Sequence, residues 1–307
     1  MMHCVLELEA LGKKYRDVPA LQNIGLSIAA GDIAAVIGKN GAGKTTLFKC
    51  ITGQVFPTSG TITLYGKKEA AGVRQQRRKI GTMIEEPVFF PDFTARQNLE
   101  YFRQQRGIAG KEAIEQALRD VNLLDTGKKK FKAFSLGMKQ RLGLALALMS
   151  HPELLILDEP TNGLDPEGKA EIRELLRTLN EERKVTILIS SHILAELQSL
   201  ATRYVFMDRG RIVEQLTAEE LLHKTQRAVE LVVDNSGKAA TLLEQHFPDI
   251  PYRILPGNRI RLSGGTDRTE QLNRTLYSHG VGVRSIAVTG EDLEAYYLGL
   301  LGGGKHA

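Results

Sequence analysis

The chain has 307 residues, with 41 Lys plus Arg against 36 Asp plus Glu and a formal net charge of +5. A hydrophobic fraction of 42% beside 25% charged residues is a globular composition, with enough chain to bury a core without covalent staples, and it excludes wholesale disorder. The longest apolar runs, such as Leu144 to Met149 and Leu154 to Leu157, fall far short of the roughly 18 residues that a membrane-spanning helix needs.

Near the N-terminus, Glu7 and Glu9 stand where an export signal would need its apolar stretch, which predicts a cytosolic protein. Strands are expected at Val5 to Glu9, Leu21 to Ile28 and Ile33 to Ile37, then a Gly-rich turn and a helix over Lys44 to Thr52. Short strands at Thr61 to Leu64 and Ile80 to Ile84 follow. A Pro-rich bend at Pro87 to Asp92 then leads into a mainly helical stretch, Thr94 to Val121. Helices at Leu136 to Met149, Glu167 to Glu182 and Ile193 to Leu200 alternate with apolar strands at Leu154 to Leu157, Val185 to Ile189 and Tyr204 to Met207. Such alternation predicts an α/β domain with a mixed, mainly parallel sheet covered by helices. A hairpin around Asp208 to Val213 closes it near residue 215.

Residues 216–307 have a different rhythm. Strands at Val229 to Val233, Tyr252 to Leu255, Ile260 to Leu262 and Val283 to Val288 interleave with helices at Lys238 to His246 and Thr269 to Ser278, the order of a small α+β ferredoxin-like domain. A last helix is expected over Asp292 to Leu301, then a loose tail, Gly302 to Ala307. This part holds ten basic and eleven acidic residues, leaving 31 and 25 for the first 215, so the basic excess is N-terminal. Its densest runs, Arg74 to Lys79 and Lys128 to Lys132, lack the interleaved aromatics of a nucleic-acid platform and read as solvated faces. Cys4 and Cys50 are too few and too far apart for a disulfide framework or a zinc site.

Gly38-Lys39-Asn40-Gly41-Ala42-Gly43-Lys44-Thr45, followed by Thr46, fits G-x-x-x-x-G-K-[ST] between a strand and a helix. Glycines let backbone N–H groups converge on phosphate oxygens at a helix N-terminus, Lys44 reaches the β- and γ-phosphates, and the Thr45 hydroxyl serves Mg²⁺. The ligands expected from this motif are a nucleotide's phosphates and Mg²⁺. Downstream, the apolar strand Leu154 to Leu157 ends in Asp158 and Glu159. Asp158 suits a Walker B role toward Mg²⁺, and Glu159 is placed to polarise the attacking water.

Between these motifs lies Phe134-Ser135-Leu136-Gly137-Met138-Lys139-Gln140-Arg141. With it, the first 215 residues resemble the ATP-binding subunits of ABC transporters, whose signature stands just upstream of Walker B. The resemblance implies that the cofactors are ATP and Mg²⁺, that Tyr15 stacks on adenine, that Asn162 to Asp165 form the D-loop, and that His192 contacts the γ-phosphate. It also implies a head-to-tail pair of subunits in which Ser135 and Gly137 of one close over ATP held by the other. Leu136 replaces the usual first signature glycine. A literal Leu262-Ser263-Gly264-Gly265 lies beyond Walker B and reads as a turn.

At the position of the family's Q-loop glutamine stands Glu85, whose carboxylate can still ligand Mg²⁺ but lacks an amide donor. Glu85 together with the Ser-Leu-Gly-Met-Lys-Gln signature resembles the bacitracin-resistance and lantibiotic-immunity branch of ABC exporters. The implied protein is an ATPase at the inner face of the cell membrane that energises a separate integral membrane permease. The stretch Phe93 to Phe102 would meet that permease, with Phe89, Phe90 and Phe93 either anchoring the contact or packing in the core. The alternative is a soluble ABC ATPase acting on nucleic acid or ribosomes; against it stands the single set of ATPase motifs.

Overall fold

The computed structural model describes residues 4–68, 70–85, 88–225, 228–289 and 293–302. The expectations for Glu86, Pro87, Asp292 and the tail after Gly302 lie outside these residues. The chain divides into two compact units, Met1–Ala218 and Glu219–Ala307.

The first unit runs β1 (Cys4–Tyr15), β2 (Val18–Ala29), β3 (Ile33–Ile37), α1 (Lys44–Thr52), β4 (Ser59–Leu64), α2 (Ala70–Gln76) and β5 (Ile80–Met83). It continues with α3 (Ala95–Arg106), α4 (Glu112–Asp120), α5 (Leu136–Leu148), β6 (Leu154–Asp158), α6 (Pro166–Arg183), β7 (Thr186–Ser191), α7 (Leu194–Leu197), β8 (Arg203–Asp208) and β9 (Arg211–Thr217). The strands form two sheets. One has the order β5-β6-β7-β3-β8-β9 and is parallel except for the antiparallel edge strand β9. The other is antiparallel, β2-β1-β4.

The mixed, mainly parallel sheet is the one expected, and a three-stranded antiparallel sheet lies beside it. The first two strands are each 12 residues long, far longer than the apolar runs in them. Their hairpin twists away from the parallel layer through register shifts near Ala10, where φ is +49°. Between the sheets lies α1. Its Leu47, Phe48, Cys50 and Ile51 are fully buried in one core with Leu6, Leu26 and Ile28 of the antiparallel sheet and Val36, Ile156 and Leu188 of the parallel one. A helix gripped on two sides cannot shift along its axis without breaking close packing on both, so its N-terminus is held in place.

The stretch expected to be mainly helical from Thr94 to Val121 is two helices. Thr94 opens α3 with a capping box to Gln97, and Gly107, at φ +65°, ends it in a left-handed cap. Helix α2 was not anticipated. It extends into the basic run Arg74 to Lys79, whose Arg77, just past the helix, is no solvated charge: its Nε donates to the carbonyl of Ile51 and its Nη2 to that of Cys50, satisfying the C-terminal carbonyls of α1. Burial accordingly pulls the Arg77 guanidinium below its ordinary value and pushes the Cys50 thiol up.

The second unit holds most of α8 (Ala218–Thr225), then β10 (Ala228–Val233), α9 (Ser236–His246), β11 (Tyr252–Leu255), β12 (Arg259–Leu262), α10 (Thr269–Ser278), β13 (Val283–Thr289) and α11 (Leu293–Gly302). Its sheet has the order β11-β12-β10-β13, antiparallel throughout, which is the ferredoxin-like arrangement. Val229, Leu231 and Val233 pack against Leu242, Leu243, Leu272 and Leu276 of its helices. The stretch Leu262-Ser263-Gly264-Gly265 leaves β12 through a bend, with Gly264 at φ +118°. Among the described residues no helix is long and apolar enough to cross a membrane.

Helix α5 rests directly on β5. A Cβ added at Gly81 would lie 2.3 Å from the Ala147 carbonyl oxygen and 2.9 Å from the Pro152 ring. Gly81→Ala should therefore destabilise the first unit by about 1–3 kcal/mol, the range for overpacking. Thermal melting of the full chain measures it, and an unchanged midpoint would mean that α5 yields without cost.

Candidate functional site

The motif residues gather at the C-terminal ends of the parallel strands, where ligands of open α/β sheets bind. The loop between β3 and α1 turns with Gly41 at φ +85° and Gly43 at φ +104°. A Cβ at Gly43 would meet the Ala20 carbonyl oxygen at 2.8 Å, and one at Gly38 would meet that of Met207 at 2.7 Å. Backbone approaches this close exclude any side chain, and they leave the first N–H groups of α1 pointing into a cleft. That cleft encloses about 500 Å³ and is lined by Asn40 to Thr46 together with Gln22, Glu159 and Gly210, a size suited to a small ligand.

Lys44 is 5% exposed. Its ammonium donates to the carbonyl of Gly38 at 2.6 Å and that of Lys39 at 3.3 Å, and it pairs with Glu159 Oε1 at 3.1 Å. The other Glu159 oxygen, Oε2, stands 2.7 Å from His192 Nδ1. Glu159 thus joins the P-loop lysine to the histidine after β7. A buried cation depends on its counter-charge, so an anionic ligand entering the cleft competes with Glu159 for Lys44 and leaves that carboxylate to His192 and water.

Beneath this pair, Asp158 is held from two sides. The Thr45 hydroxyl donates to Oδ2 at 2.6 Å and the Ser190 hydroxyl to Oδ1 at 2.6 Å. Ser190 Oγ also accepts the backbone N–H of Glu159 at 2.9 Å. Glu159 has φ +48°, a left-handed conformation that costs energy for any residue but glycine. Ser190 therefore orients one carboxylate and pins the strained backbone of the next. The sequence reading missed it, although a Ser-Ser pair closing the apolar strand β7 was the available signal. The oxygen donors of Thr45 and Asp158 converge as a hard divalent cation requires.

Other expected residues stand apart. The Ser135 side chain caps α5 by accepting the Met138 N–H, and with Gly137 and Asp165 it lines a second cleft, bounded by Arg141, Gly163 and Glu171. Asp165 caps α6 through the Gly168 N–H. Tyr15 is 46% exposed near the end of β1, with the Lys13 ammonium 5.0 Å from its ring centre, and is not among the residues lining the P-loop cleft. Glu85 lines a cavity shared with Thr45, Asp158, Glu159 and His192, but its carboxylate is 2.6 Å from the Lys49 ammonium and 63% exposed. Phe89 is buried and packs edge-on against Phe102, so it belongs to the core, whereas Phe90, Phe93 and Tyr101 form an exposed aromatic cluster. A cavity of about 560 Å³ at the other end of the parallel strands, lined by Tyr65, Lys79, His151 and Arg183, contains none of the motif residues.

A glycine-rich loop on a helix N-terminus, a buried lysine and a facing Asp-Glu pair define a P-loop nucleoside triphosphatase. The chain matches the ABC transporter family over residues 21–162. It is 38% identical to the bacitracin transport ATP-binding protein BcrA of Bacillus licheniformis over 303 residues, 99% of each chain. It is 43% identical to the lantibiotic transport ATP-binding protein SrtF of Streptococcus pyogenes over 209 residues, 68% of this chain and 89% of that one. Among solved structures, cbiO1 of Clostridium perfringens, part of an ABC transporter complex, is 27% identical with a TM-score of 0.65, covering 80% of this chain and 97% of that one. A dimeric ATP-binding cassette bound to ADP and Pi shares the fold, with a TM-score of 0.63 at 24% identity over 69% of this chain and 98% of that one. The chain belongs to the ABC transporter family. It is an ATP-binding, ATP-hydrolysing subunit of that family.

Ser190→Ala removes a donor to Asp158 and an acceptor for Glu159 together. Turnover should fall by roughly 10–100-fold, the range seen when groups that orient ligating side chains are lost, while ATP affinity stays within a few-fold. Steady-state hydrolysis and nucleotide titration separate the two quantities, and full turnover would remove Ser190 from the site.

Proposed function

We propose that this subunit powers export of a peptide antibiotic through a separate membrane-spanning partner, working at the cytoplasmic face of the membrane as a head-to-tail pair. The cargo class and direction are supported by likeness over nearly the whole chain to a bacitracin transport protein, and over most of it to a lantibiotic one. The observation that carries the paired assembly is the separation of two clefts. Ser135 and Gly137 line one, and Lys44, Thr45 and Glu159 line the other. A nucleotide gripped by both sets would then lie between two copies, a reading supported by the likeness to a dimeric ATP-binding cassette. The exposed cluster of Phe90, Phe93 and Tyr101 is a candidate seat for the membrane partner, because clustered aromatics bury large area at little entropic cost. An ATPase acting on nucleic acid or ribosomes is not favoured: the relatives are transport proteins, and the basic run 74–79 is partly spent on capping α1.

Thr45 and Asp158 are the residues that would hold Mg²⁺, which when bound neutralises phosphate charge. Lys44 binds the terminal phosphates, Glu159 orients water and accepts its proton, and His192 holds Glu159 from the other side. Tyr15 would stack on the base after its hairpin moves toward the cleft.

Glu159→Gln should retain ATP affinity while hydrolysis drops by about a hundredfold or more, as expected for a lost general base. Held in the ATP state, that variant should dimerise by light scattering. Adding Ser135→Arg, which puts a bulky cation into the closing contact, should leave it monomeric. In cells carrying the membrane partner, only the wild type should raise tolerance to peptide antibiotics; equal tolerance with Glu159→Gln would rule out powered export.

Glu85 must exchange Lys49 for the cation if it acts as a metal ligand. Glu85→Gln should then raise the Mg²⁺ concentration for half-maximal hydrolysis by up to about fivefold, the scale of a partly exposed charge. It should also alter stimulation by the membrane partner. A metal titration identical to wild type would make Glu85 only the partner of Lys49.

A further inference from the structure

A second carboxylate network lies behind the reacting pair. Glu196, on the short helix α7 four residues after His192, is 12% exposed. Its Oε2 accepts the Thr161 hydroxyl at 2.8 Å and its Oε1 takes the Lys169 ammonium at 2.6 Å. Thr161 is itself buried, at 4% exposure, two residues after Glu159. Lys169 lies in the first turn of α6, next to Gly168, whose N–H is held by the Asp165 cap. One carboxylate therefore ties together three segments: the loop leaving Glu159, the start of α6 and the helix following His192.

The segment carrying His192 is anchored at both ends, by the pairing of Ser191 with Ile37 of β3 and by the Tyr204 hydroxyl, which donates to the Leu197 and Gln198 carbonyls. Ser191 Oγ donates to the Ile193 carbonyl and accepts the Ile193 N–H, a local turn. The apolar anchors Leu194 and Leu197 are buried on α7. His192 itself is 38% exposed and is held through Glu159. The Glu159–His192 distance is held by their direct contact, by the β6–β7 pairing with its Ser190–Glu159 hydrogen bond, and through Thr161 and Glu196; when the Glu159 side chain turns toward water, the last is the link that reaches past the strand ends.

We propose that Glu196 is a positioning residue that holds the His192 segment against the Glu159 loop through Thr161, with Lys169 serving to neutralise it. This deepens the ATPase reading and rests on Glu159 and His192 being its reacting pair. The two links of Glu196 do different work. A carboxylate this little exposed loses stability when its cation is removed, whereas the Thr161 hydrogen bond fixes geometry, and a misplacement on the order of 1 Å costs up to about a hundredfold in rate.

The test uses the full chain with Mg²⁺ and ATP, measuring kcat, KM and melting temperature for Glu196→Ala, Thr161→Val, their double variant and Lys169→Met. Glu196→Ala and Thr161→Val should each lower kcat by about tenfold with KM within twofold, and the double variant should be no slower than Glu196→Ala. Lys169→Met should lower the melting temperature yet keep kcat near wild type. The proposal is overturned by full turnover in Thr161→Val, by effects that multiply in the double variant, or by a kcat in Lys169→Met that falls as far as in Glu196→Ala, since activity would then follow stability alone. Glu159→Gln, run alongside, tests the underlying reading separately: retained hydrolysis there unseats the reacting pair whatever Glu196 does.

Discussion

The Asp158 carboxylate, gripped by the hydroxyls of Thr45 and Ser190, is the constraint on which the rest of the site depends. It joins the first turn of α1 to the ends of β6 and β7, three elements that meet nowhere in sequence. Each hydrogen bond to an ionised acceptor contributes more than a neutral one, and both are short. Because Ser190 also holds the Glu159 backbone N–H, the same knot sets where the next carboxylate points. Charge, strand ends and helix N-terminus are fixed relative to one another before any ligand arrives.

That knot is precise only because α1 cannot move. Two sheets of opposite type grip the helix, and the Arg77 guanidinium closes its C-terminal carbonyls. Close approaches at Gly38 and Gly43 bring the loop against the β2 and β8 backbones. On the other side, His192 leaves the end of the buried strand β7 and leads into the short helix α7, tied to the Glu159 loop through Thr161 and Glu196.

The order of catalytic carboxylates and cations follows the same logic. Lys44 needs a counter-charge wherever it is buried, and Glu159 supplies it. Electrostatic compensation would thus couple entry of an anionic ligand to release of the Glu159 carboxylate, the proposed general base. Farther out, Glu196 repeats the arrangement with Lys169, so a second ion pair lies behind the first.

Much of this was legible in the sequence because the signals were local. Gly38 to Thr45 carries its own geometry in its glycines, and the bounds of β3, α1, β11 and α10 follow from apolar period and turn residues. The Asp158-Glu159 pair announced itself as charge at the end of an apolar strand. What the sequence left undetermined depends on which distant elements meet. The antiparallel sheet arises from a twisted hairpin longer than its apolar runs, and Arg77 reads as surface charge until α1 ends beside it. Phe89 and Phe90 are neighbours of like chemistry, yet one is core and the other exposed. Ser190, Thr161 and Glu196 are ordinary polar residues in sequence, separated from their partners by about 30 positions or more. Only packing decides that they converge, because a hydrogen bond between strand ends is a property of the sheet order and not of any local pattern.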